Sequence, residues 1–175
     1  MQVKPIPPFS DLPDLSGTSS CAAYQFRRTS RAVARLYDTA IASSGLRSTQ
    51  FAILTAIAKL QPVPISRVAA ILMIDTTTMT RSLRLLQKDG LIEIAPRGVR
   101  RQRLLTLTSK AEKALAVAVP LWRNAQARFL ASLGAKPWKE FQDELEHAAE
   151  VAATLENTDA AKESSEPANL AGTSG

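Results

Sequence analysis

Asp75-Thr-Thr-Thr-Met-Thr-Arg-Ser-Leu-Arg-Leu-Leu-Gln-Lys-Asp-Gly90 is the stretch on which the fold turns. Asp75 is a residue type that caps a helix and Gly90 one that ends it, so the segment between reads as a helix of about four turns. Met79, Leu83 and Leu86 recur at i, i+4 and i+7 and define a face to be buried. Thr77, Thr80, Arg81, Arg84 and Lys88 fall on the other side, so hydroxyls and cations share one exposed stripe. Charged helix faces usually serve solubility alone, and the neighbouring segments decide how this one is read.

Upstream, Pro64 occupies a first-turn position, and Ile65, Val68, Ala69 and Leu72 keep the helical period to near Met73. Ile74-Asp75 leaves room only for a helix-turn-helix corner. Downstream, Ile92 and Ile94 flank Glu93, while Leu105 and Leu107 alternate with Thr106 and Thr108, the period of two half-buried strands. Their connection, Pro96 to Gln102, carries Arg97, Arg100 and Arg101, with Arg103 just beyond. The fold class expected is therefore mainly α: a winged helix-turn-helix with a small β-hairpin wing and flanking helices.

Charge distribution gives this unit a partner. Residues 47–113 hold 12 Lys+Arg against 4 Asp+Glu, a net of +8, whereas the remainder holds 10 against 12, a net of −2. No acid lies between Glu93 and Glu112, so Arg97, Arg100, Arg101, Arg103 and Lys110 are read as mutually repelling cations awaiting an anion. Hydroxyls and guanidinium forks suit phosphates and base edges, a helix fits the major groove, and a loop-tip arginine suits the narrow minor groove. The expected partner is double-stranded DNA.

Other chemistries have little to stand on. One cysteine, Cys21, excludes an intramolecular disulfide and a cysteine-rich zinc site. One histidine, His147, reads as making a histidine metal cluster or a Ser-His-Asp triad untenable within one chain, and no glycine-rich phosphate loop is present. The expectation is no enzyme activity and no cofactor. No stretch has the length and apolarity of a membrane span or of a secretory signal, so a cytoplasmic protein is expected.

Around the central unit, residues 1–19, with Pro5, Pro7, Pro8 and Pro13, read as a flexible arm, and 157–175 as a disordered tail. Residues 20–46 read as a helix opened by Ser19 or Ser20, with Val33, Leu36, Tyr37, Ala40 and Ile41 on one face and a stop at Ser44-Gly45. A helix from about Ser48 to Leu60, with Phe51, Leu54 and Ala58 inward, begins the DNA-binding unit of residues 47–108. Residues 109–156 read as two more helices: one opened by the capping pattern Ser109-x-x-Glu112, bent by Pro120 and closed by Gly134, and one begun by Pro137. In the latter, Trp138, Phe141, Leu145, Ala148, Ala152 and Leu155 are spaced 3, 4, 3, 4 and 3, a seam that faces another helix. Long helices outside the compact unit bury such stripes against a second subunit, which would set two recognition helices roughly 34 Å apart on a duplex.

From Cys21 to Leu133 this pattern resembles the MarR family of bacterial regulators. The run from Asp75 to Glu93 looks like the family's recognition helix entering its first wing strand, and Arg101 to Thr108 looks like its wing signature. The resemblance implies a homodimer that binds a palindromic operator and represses nearby genes. It implies major-groove contacts from Thr76, Thr77, Thr80, Arg81 and Arg84, and a minor-groove contact from Arg101. Two positions depart from the pattern: Val99 stands where an Asp normally holds that arginine, and Ala111 replaces a glycine.

The resemblance also implies release by a small anionic or aromatic effector or by an oxidant. Arg27, Arg31 and Arg35, with Arg28 beside them, form a cationic row that either receives an anionic effector or pairs with Asp143, Glu144, Glu146 and Glu150 of the last helix. Cys21, at a helix start where thiolates are favoured in general, is either a redox sensor or a bystander. The alternative to a specific regulator is a sequence-indifferent architectural DNA binder. Substitutions separate the two. Arg84→Ala is expected to relax discrimination between duplex sequences, and Arg100→Ala to weaken all duplexes alike and flatten the salt dependence, as read by binding titrations at several salt concentrations. Equal effects of both on every duplex would count against specific recognition.

Overall fold

The computed structural model describes residues 14–95, 103–134 and 138–165. The wing tip with Arg97, Arg100 and Arg101, the residue Val99, most of the N-terminal arm and the last ten residues lie outside them. The elements are α1 (Ala22–Ile41), α2 (Ser48–Leu60), β1 (Val63–Pro64), α3 (Ile65–Ile71), α4 (Thr76–Lys88), β2 (Ile92–Ala95), β3 (Leu104–Leu107), α5 (Ser109–Leu133) and α6 (Trp138–Ser165). They divide into two compact units, residues 1–126 and 127–175.

The first unit holds the core. Leu54 and Ile57 of α2, Val68 of α3, Met79, Leu83 and Leu86 of α4, and Leu105 of β3 are essentially inaccessible to water. A fully buried side chain of this size contributes roughly 1.5–3 kcal/mol over its exposed state. On α2 the buried face is Ile53, Leu54, Ala56 and Ile57, with Phe51 partly covered. Ala58, expected inward, is exposed. The segment is apolar nearly all round, so its period alone did not fix the phase.

The wing is a three-stranded antiparallel sheet in the order β1-β3-β2. Ile92 pairs with Leu107 and Ala95 with Leu104, while Val63 pairs with Leu105. Ile92 is buried and Glu93 exposed, as alternation predicts. The third strand is a correction: Pro64, read as a first-turn helical residue, is extended and belongs to β1, immediately preceding α3. Lacking an N–H, proline is tolerated at such a sheet edge. Gln61 joins the end of α2 to this sheet, its Oε1 accepting from the Leu107 amide at 2.8 Å.

Helix ends follow local chemistry with some differences from expectation. Ser19 and Ser20 lie in a short 3-10 turn, Thr18–Ser20, and Cys21 is the residue that precedes the first turn of α1. The end of the expected arm forms this turn, with Ser16 donating from both N and Oγ to the Asp14 carboxylate. Gly45, at φ 74°, supplies the left-handed turn after the 3-10 segment Ala42–Ser44. At the other end of the chain α6 continues to Ser165, so part of the expected tail, from Asn157 on, is helical. Ala, Glu and Lys are strong helix formers, and that propensity continues the helix where no apolar face marks it.

Two aspartates tie helix starts down. The Thr78 amide donates to Asp75 Oδ1 at 2.8 Å, which caps α4. The Ser48 amide donates to Asp38 Oδ1 at 2.6 Å, so a carboxylate of α1 holds the first turn of α2. These bonds lower both carboxyl pKa values from the usual 3.8, through the Thr78 side chain and then its amide at Asp75, and through the Ser48 amide first at Asp38. A carboxyl depressed in the folded state stabilises it above the unfolded pKa, and that contribution is lost as pH falls through the folded value. Denaturant unfolding is therefore expected to show a loss of stability in the wild type as pH falls from about 5 to about 2. The loss should be shallower in Asp38→Asn and Asp75→Asn, which keep an oxygen acceptor but do not titrate.

Candidate nucleic-acid interface

The recognition surface is set by how α4 is anchored. Its 13 residues span about 20 Å at 1.5 Å per residue, and its buried Met79, Leu83 and Leu86 leave the opposite side to solvent. Thr76, Thr77, Arg81, Arg84 and Lys88 are all exposed and Thr80 is half-buried, so the structure brings the expected stripe together. The corner before it is tight: Met73 adopts φ 50° and the Ile74 amide donates to Ala69 O at 2.9 Å.

The threonines differ in what they can offer. Thr80 Oγ1 donates to Thr76 O at 2.7 Å, so its proton is committed to the helix backbone. Towards a base edge it presents only acceptor lone pairs and its methyl group, suited to a cytosine or adenine amino group or to a thymine methyl. Thr76 and Thr77, in the first turn, have exposed side chains beside the amides of the helix N-terminus, where a phosphate is favoured.

A latch fixes this helix to the wing. After Gly90, at φ 68°, the chain turns into β2. Thr108 Oγ1 donates to Gly90 O at 2.7 Å, the Thr108 amide donates to Leu91 O at 3.1 Å, and Lys110 Nζ donates to Asp89 O at 2.6 Å. Lys110 thus revises the reading of five uncompensated wing cations. Its ammonium serves the carbonyl end of α4, where positive charge is favoured, and it belongs to the scaffold. These contacts join residues 18 and 21 apart in sequence, and no local pattern announces them. Arg103, at the foot of β3, is exposed. Ala111, in the family's glycine position, is wholly buried against the core in the first turn of its helix.

Cys21, just before α1, and Ala23, Tyr24, Arg27, Arg28, Arg31 and Arg35 of α1 line an open concavity of about 580 Å³. Cys21 is a free, exposed cysteine. The acids expected to pair with this row include Asp143, whose carboxylate instead takes Lys139 of its own helix. Further along α1, Tyr37 donates to Gln126 Oε1, and partial burial raises the pKa of its phenol. Phe51 and Trp122 stack tilted with centroids 5.9 Å apart, which places Trp122 in core packing. Among the described residues no cluster of metal-ligating side chains occurs and no helix is long and apolar enough to cross a membrane.

This fold with this surface is that of a winged-helix transcription factor. The sequence profile of the MarR family matches residues 44–102. A crystal structure of the M. tuberculosis transcriptional regulator MosR is 34% identical, over 77% of this chain and 96% of that one, with a TM-score of 0.66. The same regulator in complex with DNA is 38% identical, over 75% and 98%, with a TM-score of 0.67. The PcaV transcriptional regulator from Streptomyces coelicolor, 23% identical over 81% and 98% with a TM-score of 0.68, shares the fold. No curated protein matches the chain in sequence. The chain belongs to the MarR family of DNA-binding transcriptional regulators.

The latch separates scaffold from contact. Lys110→Met is expected to cost folding stability while leaving the salt dependence of DNA binding at the wild-type slope. Arg103→Ala should leave stability nearly unchanged and reduce that slope by about one released counterion. Salt titrations of binding together with urea unfolding would show either assignment to be reversed.

Proposed function

We propose that the protein acts as a homodimeric repressor on a palindromic operator and leaves it on a small-molecule or oxidative signal. The observation that carries the reading is the solvent-facing stripe of α4, anchored by its buried face and by the latch to the wing. In this reading Thr76, Thr77, Thr80, Arg81 and Arg84 face the major groove, with Lys88 and Arg103 on phosphates. Arg97, Arg100 and Arg101 belong to the wing tip, with Arg101 in the minor groove by resemblance. A DNA complex of a 38% identical regulator supports the assignment of the partner.

Dimerisation is supported by apolar surface that one chain leaves open. Leu145 is 37% exposed, Val151 44% and Leu155 60%, and among the described side chains of α6 none is buried. Helices of this kind seldom stay unpartnered in water. The signal is supported by the concavity of α1, where an exposed cysteine lies beside four arginines.

Selection of bound sequences from a random duplex pool at physiological salt tests the reading, because non-specific affinity has largely fallen away there. Recovery of an inverted repeat with half-sites about 10 bp apart is the expected result. A pool with no enriched sequence, and binding that collapses as salt rises, would instead establish the architectural alternative.

A further inference from the structure

We infer that Leu85 is a specificity-determining residue that reads the C5-methyl group of a thymine in the major groove. The inference rests on the reading of α4 as the groove-facing helix and adds to it a residue and a base identity.

Leu85 differs from the other long apolar residues of its helix in where it lies. Met79, Leu83 and Leu86 form the buried face of α4 and are 0–1% exposed, whereas Leu85 is 57% exposed and is not one of the side chains packed against the core. At 3.6 residues per turn it sits about 40° round the helix from Arg81 and about 60° from Lys88, and at least about 100° from each of the three buried side chains. Thr77, Arg81 and Leu85 follow at i, i+4 and i+8, and Lys88 comes three residues later, so the leucine belongs to the outward row of hydroxyl and cations. Helix propensity does not require a leucine here. Arginine, glutamine and lysine serve as well, and they fill the neighbouring outward positions at Arg84, Gln87 and Lys88.

The floor of the major groove offers such a side chain one matching group. Guanine, cytosine and adenine present hydrogen-bond donors and acceptors there, and thymine adds a C5-methyl group to its O4 acceptor. A leucine pressed onto guanine O6 or a cytosine amino group would strip water from a polar edge and return no hydrogen bond, which is unfavourable. Against a thymine methyl, two apolar groups leave water together. The cations beside Leu85 attract the phosphates on either side of the groove, so a duplex held by Arg81, Arg84 and Lys88 brings base edges onto the leucine. Thr80, which also carries a methyl group, lies about 140° round the helix on the other margin of the stripe, so the two residues face different base edges.

The duplex recovered from the random pool is the probe. Each of its thymines is replaced in turn by uracil, which removes only the methyl group, and binding of the full chain is titrated for the wild type, Leu85→Ala and Leu85→Met. Alanine is the strongest helix former and the position is exposed, so both variants should fold, which circular dichroism checks. One thymine in each half-site is expected at which loss of the methyl weakens the wild type about fourfold, the effect of one buried methyl group. Leu85→Ala should weaken binding by a similar factor and no longer distinguish thymine from uracil there, whereas Leu85→Met should keep the distinction. The salt dependence should stay at the wild-type slope in both variants, because no charge is lost. Thymine methyls that never matter, a methyl effect that persists in Leu85→Ala, or a Leu85→Ala protein that binds like the wild type would each overturn the inference and leave the specific regulator standing. A pool with no enriched sequence would remove both.

Discussion

Burial of one face of α4 is the constraint on which the rest of this molecule depends. Met79, Leu83 and Leu86 each go from water into a core shared with α2, α3 and the sheet, and their exposure falls to 0–1%. A helix whose apolar stripe is pinned in this way has one rotational setting. The threonine and arginine stripe then faces outward as a geometric consequence of that burial. A polar side chain in the buried stripe would therefore damage the binding face indirectly, by freeing the rotation of the helix.

A second layer of contacts sets where that helix points. Asp75 closes its first turn, while Thr108 and Lys110, from the start of α5, take the carbonyls at its far end. Asp38 does the equivalent for α2 from the end of α1. These bonds are at most partly shielded from water, which competes for the same groups, so each adds little stability by itself. Their value is orientation: α4 and β3, with Arg103 at its foot, are tied together, so the position of one sets that of the other. The surfaces left over, on α1 and α6, carry exposed apolar groups and are opposite in charge.

Much of this was legible in the chain because it is periodic and local. The helix α4, its cap at Asp75, its stop at Gly90 and the hairpin strands all announce themselves within a few residues. The candidate stripe followed directly, since residues spaced 3 and 4 apart must share a helical face. Four features were not legible for physical reasons. A two-residue strand such as β1 is too short to carry a period. A helix apolar on most sides, such as α2, does not reveal whether Ala58 or Ile57 turns inward. The helical continuation of α6 past Asn157 rests on propensity without an apolar face to mark it. Lys110 looks, in sequence, like any other cation of the wing.

The amino-acid sequence by itself determined the class of the fold, the existence and polarity of the recognition helix, and the concentration of positive charge around it. Those properties depend on short-range periodicity and on counting, and neither needs a third dimension. Only the tertiary structure decided which cations belong to the scaffold and which remain for a partner, because a carbonyl 21 residues away took Lys110. It likewise decided that Thr80 spends its proton on its own helix and that the apolar faces of α1 and α6 remain open. Side-chain commitments of this kind are made across space, between groups whose separation along the chain carries no information about their separation in the fold.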